Sequence, residues 1–172
     1  MNRLLRTLGR ISAALDKAAV LVAKSGILVM VVCISIQIIA RYVLSEPPAW
    51  TEELARYAMI WAGLAGATIA CRRRLDPTLV NAALLKRKSH RTLSRWVEAV
   101  AILVFCIPVL IATPAFMALH SQRFTDSLQL PSHLVVAIIP LCFITIIFHA
   151  LVRLLFERAR EREKEISGAE LP

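Results

Sequence analysis

Charged side chains crowd into residues 1–24, 72–98 and 153–170, and four runs between or beside those blocks carry none: Ser25–Ala40, Tyr57–Cys71, Ala99–Gln122 and Ser127–Val152. A soluble fold spreads charge over the outer faces of its helices. This segregation therefore points to an all-α bundle in a bilayer, where every backbone polar group must be satisfied inside its own segment. Composition agrees, with 58% of the 172 residues hydrophobic and a mean hydropathy of +0.64, against a soluble composition of roughly half apolar.

Four spans are predicted, at about 18–44, 49–71, 97–119 and 133–153, within a single membrane domain covering 1–172. The first carries a basic start like that of a signal peptide, but no small-residue cleavage site follows before Arg41, so the reading is an uncleaved span. Its uncharged core, Ser25–Ala40, has 16 residues, and that of the second, Tyr57–Cys71, has 15. A hydrocarbon layer of about 30 Å asks for roughly 20 residues. Lys24 and Arg41 must then snorkel, and Glu52, Glu53 and Arg56 sit at the membrane boundary.

Ser45-Glu46-Pro47-Pro48 makes the first loop, since proline stops one helix and suits the first turn of the next. Pro108, Pro114 and Pro140 fall inside the third and fourth spans, where they are tolerated but should bend the helix. Residues 120–132 form a second outer loop.

Two amphipathic surface helices complete the plan. Over 2–17, Leu4, Leu8, Ile11 and Leu15 share one face, while Arg3, Arg10 and Lys17 recur every seventh residue beside it and are expected to reach lipid headgroups. Over 76–95, Asp76 is a plausible N-cap with Pro77 following; Arg87 and Arg91 belong to the basic face and are headgroup contacts in the same sense. Trp96 belongs at the interface. Residues 154–172 form a charged, solvated helical tail.

The 21 Lys and Arg residues divide unevenly. Five lie in the N-terminal segment, eight between Arg72 and Arg95 and five from Arg153 on, leaving only Arg41, Arg56 and Arg123 for the other side. The positive-inside rule then places both termini and the middle loop in the cytoplasm. The net charge of +9 follows from these flanks. With no basic stripe interleaved with aromatics, nucleic-acid binding is set aside.

The spans offer little chemistry. No Asp, Glu, Lys or Arg lies in the middle of any of them, where an ion-coupled carrier keeps its ionisable group. The polar residues at depth, Ser35, Gln37, Thr68, Thr113, Thr145 and His149, are expected to bond between helices or back to their own. Cys33, Cys71, Cys106 and Cys142 fall one to a span, with no zinc or disulfide spacing, and read as small apolar residues. His90, His120, His133 and His149 are scattered in depth, which argues against haem. No nucleophile–base pair or phosphate loop is present, so neither an enzyme nor a cofactor is expected.

What remains is Trp50-Thr51-Glu52-Glu53-Leu54-Ala55-Arg56-Tyr57. Its acids precede Arg56 by four and three residues, the favourable helical order. It reads either as a helix start that neutralises its own charges or as a polar anchor for another subunit. The pattern of Trp50, Glu52, Glu53, Arg56 and Tyr57 after a first span resembles the small membrane subunit of tripartite ATP-independent periplasmic (TRAP) transporters, the DctQ-like family. Gly63, Ala65, Gly66 and Ala67 before a basic stop, Leu75-Asp76-Pro77-Thr78-Leu79-Val80 opening the middle loop, and Leu130-Pro131 before a span containing Pro140 agree with it. Where this chain has Asp76, the family often has histidine.

The resemblance implies a scaffold subunit in a bacterial inner membrane, serving a large multi-span subunit that carries an organic acid and sodium, with a periplasmic binding protein delivering the solute. On that reading Trp50, Glu52, Glu53, Arg56 and Tyr57 form the subunit interface. A self-sufficient homo-oligomeric exporter and a membrane anchor of a redox complex are the competing classes, opposed by the missing membrane carboxylate and the scattered histidines.

Overall fold

The computed structural model describes residues 3–44, 46–75 and 88–169, with no side-chain detail for 44, 88–95 and 160–169. The chain forms α1 (Arg3–Ile39), which widens into a π-turn at Ala40–Leu44, then α2 (Ala49–Arg73), α3 (Lys88–Ser121), the short α4 (Ser132–Val136) and α5 (Ile138–Ala169). Four of these helices are long and apolar enough to cross a membrane. They leave one end of the bundle with the basic residues of both termini and of Arg72–Arg74. The other end carries the two short connections.

The segment 3–17 is continuous with the first span. At about 1.5 Å per residue the 37 residues of α1 extend some 55 Å, well beyond a hydrocarbon layer of about 30 Å. No proline or chain break separates Lys17 from Ala18, and Asp16 is bonded to α2, so nothing stops the helix there. Residues 88–95 likewise run on into the third span as the start of α3. The rest of the expected loop helix, with Asp76 and Arg87, lies outside the described residues, as does the side chain of Arg91.

The inward face of α1 is small and polar. Ser12, Asp16, Gly26, Cys33 and Ala40 are buried, whereas Leu4, Ile11, Leu15 and Leu21 point outward. In lipid a leucine gains nothing by facing another helix, while small residues let two backbones approach. Gly26 lies at a close approach of α1 and α2, which share the most extensive helix contact. A Cβ there would lie 2.9 Å from the Ala58 carbonyl oxygen and 3.0 Å from the Ala62 Cβ. Gly63 has nothing within 4 Å of the same construction. Gly26→Ala should therefore destabilise the chain by about 1–3 kcal/mol, as overpacking does. Gly63→Ala should leave stability equal or slightly raised, because alanine is the better helix former. Thermal unfolding of the two variants in one detergent checks the contrast; equal melting temperatures would contradict the close packing.

α5 packs on both α2 and α3 and, less extensively, on α1, whereas α3 rests chiefly on α5 and α4. Val104, Phe105 and Ile111 of α3 are 68–74% exposed, so this helix turns most of its apolar surface away from the bundle. α3 continues through Pro108 and Pro114, and Pro140 falls in the first turn of α5, where no backbone donor is needed. At depth the hydroxyls of Ser35, Thr68, Thr113 and Thr145 donate to the carbonyls of Val31, Ala65, Val109 and Leu141 on their own helices. All four cysteines are buried as compact apolar groups.

Candidate functional site

The Trp50–Tyr57 segment is split by its own helix into two sets of side chains. Pro48 precedes α2, and Thr51, fully buried, donates its hydroxyl to the Pro48 carbonyl at 2.7 Å, which fixes the angle at which α2 starts. Glu53 then faces inward, toward the loop between α3 and α4. One carboxylate oxygen accepts the Ser127 and Leu128 backbone N–H groups at 2.8 and 2.9 Å, and the other accepts the Tyr57 hydroxyl at 2.5 Å. The loop itself is closed by Thr125 N–H donating to Leu130 O at 2.9 Å and Ser132 N–H donating to Arg123 O at 2.8 Å. Glu53 thus supplies the acceptor that the loop's tip cannot find within itself. Further along α2, Trp61 donates its indole N–H to Val135 O of α4 at 2.9 Å.

Glu52 and Arg56 point the other way. They pair with each other at 2.9 Å with side chains 73% and 62% exposed, and Trp50 beside them is 42% exposed. Of the five residues expected to act together, Glu53 and Tyr57 therefore bind their own chain. Trp50, Glu52 and Arg56 form an outward patch. The π-turn places Arg41 and the 82%-exposed Tyr42 nearby, around a cleft of about 210 Å³ that Glu52 also lines.

A second polar cluster lies at the basic end; the sequence suggested a bond for His149 between helices or to its own helix, but not the gathering of Ser12, Asp16, Arg72 and Arg73 around it. Asp16, 5% exposed, receives Arg73 on both oxygens, Nε at 3.3 Å and Nη2 at 2.8 Å, and pairs with Arg72 Nη1 at 2.9 Å. Arg72 Nε also donates to Ser12 Oγ at 3.1 Å, and Ser12 Oγ lies 2.9 Å from Nδ1 of the buried His149 on α5. A guanidinium only donates, so Ser12 Oγ accepts from Arg72; with its own proton directed to Nδ1, the hydroxyl links all three groups in one chain. In that tautomer the neutral ring carries its proton on Nε2, which is buried without a hydrogen-bond partner. Nearby, Arg153 pairs with Glu98 at 2.6 Å and donates to Cys71 O at 3.4 Å, and Arg74 pairs with Glu157.

The signal for this cluster was present. Asp16 is the sole acid ahead of Glu46, and it follows Gly9 and Ser12 at helical spacing on a face beside that of the leucines, about 100° round the helix. Of the expected headgroup contacts, Arg3, Arg10 and Lys17 are exposed along α1. Among the described residues no group of histidine, cysteine or acidic side chains is arranged to hold a metal ion.

Comparison with known proteins adds one match. The family model described as tripartite ATP-independent periplasmic transporters, DctQ component, covers residues 30–160. No curated protein matches the chain.

Proposed function

The chain belongs to the DctQ family of tripartite ATP-independent periplasmic transporters, and from that premise we propose that it is the scaffold subunit of a sodium-coupled importer of organic acids in a bacterial inner membrane. A large membrane subunit carries solute and sodium, and a periplasmic protein delivers the solute. The family is one of transporter components and not of enzymes. The observation that carries the scaffold reading is the state of the hydroxyl groups at depth. Ser35, Thr68, Thr113 and Thr145 each spend their hydroxyl on their own helix, and no Asp, Glu, Lys or Arg lies midway along any span. A path for an anion and a coupling cation needs unspent ligands near the membrane centre. The outward faces of α1 and α3 are free to meet a partner or lipid.

Reconstituted alone, the chain should move no solute and show no heat of solute binding. Uptake should appear only with the large subunit and the binding protein, driven by a sodium gradient without ATP. Uptake by the small chain alone would overturn the scaffold reading.

The proposal includes an orientation with both termini and the Arg72–Arg95 loop in the cytoplasm, supported by the count of eighteen Lys and Arg against three. Arg3, Arg10 and Lys17, with Arg87 and Arg91, then lie toward cytoplasmic lipid headgroups. A membrane-impermeant thiol reagent should label single cysteines introduced at Glu46 and Ser127 in intact cells, and spare one at Lys86. External labelling at Lys86 would reverse the orientation.

A further inference from the structure

A cavity of about 380 Å³ opens at the basic end between α1, α2 and α5, walled by Gly9, Ser12, Arg72, His149, Arg153 and Phe156. We propose that it binds a phosphate anion, either the phosphate of a lipid headgroup or free phosphate.

Its depth is that of a phosphate layer. Cys71 and Val152 are the last uncharged residues of their spans, and Arg72 and Arg153 follow them directly into the cavity wall. Both guanidiniums are already held in place. Arg72 is fixed by Asp16 and Ser12, and Arg153 by Glu98 and the Cys71 carbonyl. Each of these four bonds uses one of the five N–H donors that a guanidinium carries, so each arginine keeps further donors on a side chain whose ordering has already been met by the fold. That is the preorganisation an anion site needs.

The charges leave room for one anion. Arg72, Arg73, Arg74 and Arg153 are linked to Asp16, Glu98 and Glu157, four cations against three carboxylates. Glu157 also lines the cavity, and its pairing with Arg74 offsets its repulsion of an incoming phosphate. The independent observation is His149. It is 4% exposed, forms part of the cavity wall, and its Nε2 has no acceptor. In the tautomer with its proton on Nε2, His149 sets a buried, unpartnered donor in the same wall as two fixed arginines, and a phosphate oxygen would satisfy it.

The test uses the full chain in mild detergent with whatever membrane partner it retains. Native mass spectrometry would compare dioleoylphosphatidylglycerol with dioleoylglycerol, which has the same acyl chains and no phosphate. A thermal shift would be recorded with millimolar inorganic phosphate. One phosphatidylglycerol should stay bound and dioleoylglycerol should not. Retention should fall at least tenfold in His149→Phe, which removes the ring donor. It should fall equally in Gly9→Met, whose side chain would enter the cavity beside the Phe156 ring, already 3.1 Å from a Cβ at this position. Stabilisation by inorganic phosphate, abolished by Gly9→Met and without lipid retention, would support the site with free phosphate as its ligand. The proposal is overturned by equal retention of both lipids, by phosphatidylglycerol retention unchanged in both variants, or by neither lipid nor phosphate having an effect. If neither variant folds, the wild-type comparison of the two lipids and of phosphate decides.

Discussion

Asp16→Ala is expected to lower the melting temperature of the detergent-solubilised chain on the order of 10 °C, at the roughly 2–4 °C per kcal/mol that suits a chain of this size. The Asp16 side chain is 6% exposed and is the shared counter-ion of Arg72 and Arg73. Removing one member of a buried pair costs about 3–5 kcal/mol, because its partner is left charged and unmatched. The two arginines are 30% and 47% exposed, which gives them a route to water and puts the expected loss at the lower end of that range. The substitution also leaves the Arg72–Ser12 bond to carry the polar link between the first half of α1 and α2 at that level. Replacing Arg72 and Arg73 together with Asp16 by methionine, leucine and asparagine should recover part of the loss, whereas Arg10→Ala should change nothing. A melting temperature for Asp16→Ala within about 2 °C of wild type would mean that the cluster behaves as a surface pair of the kind worth 0–1 kcal/mol.

Span number and the uncharged runs could be read from the sequence because the bilayer imposes one strong rule on every residue between Ser25 and Ala40 or between Ser127 and Val152. For Ser35, Thr68, Thr113 and Thr145 the sequence left a choice between bonds across helices and bonds to their own helix; all four take the second, because in lipid a hydroxyl with no nearby partner returns to its own helix. The direction in which α1 faces the bundle was not. Leu4, Leu8, Ile11 and Leu15 form an apolar stripe that in water would mark the core. In lipid the same stripe can face outward while Gly9, Ser12, Asp16 and Gly26 face in, and hydrophobic periodicity alone does not distinguish the two. Finding the basic-end cluster required knowing that Ser12, Arg72 and His149, far apart in sequence, meet at one level. That follows from the pairing of α1 with α2 and α5, a tertiary fact. The Trp50–Tyr57 segment was recognised as a unit, yet the internal bonds of Glu53 depend on where Ser127 and Leu128 fall, and no local spacing encodes that.

Arg56→Ala and Trp50→Ala are expected to weaken assembly with the large membrane subunit while leaving the small chain's own stability almost unchanged. The reasoning starts from exposure. The Arg56–Glu52 pair is made within one helix, at 2.9 Å, by side chains 62% and 73% exposed. Such a pair contributes about 0–1 kcal/mol to the fold of the chain that carries it. The value changes once a partner covers the patch. Truncating one member of an interfacial charge pair that is desolvated costs about 2–5 kcal/mol, much of it the penalty of stranding the other charge. That range corresponds to a loss of affinity from roughly 30-fold to more than 1,000-fold. Trp50 beside the pair is the type of side chain that anchors interfaces, large and rigid with a donor at its edge. Glu53→Gln provides the opposite phenotype. It weakens the acceptor of the Ser127 and Leu128 N–H groups, so it should lower the melting temperature of the isolated chain before it affects assembly. Arg123→Ala, a change in the outer loop, serves as the control. The measurement is the yield of large subunit co-purified in mild detergent, normalised to the amount of small chain and read beside sodium-driven uptake. If Arg56→Ala and Trp50→Ala give the yield and uptake of the Arg123→Ala control, the outward patch is no more than the exposed side of a helix start, and the partner must dock elsewhere on α1 or α3.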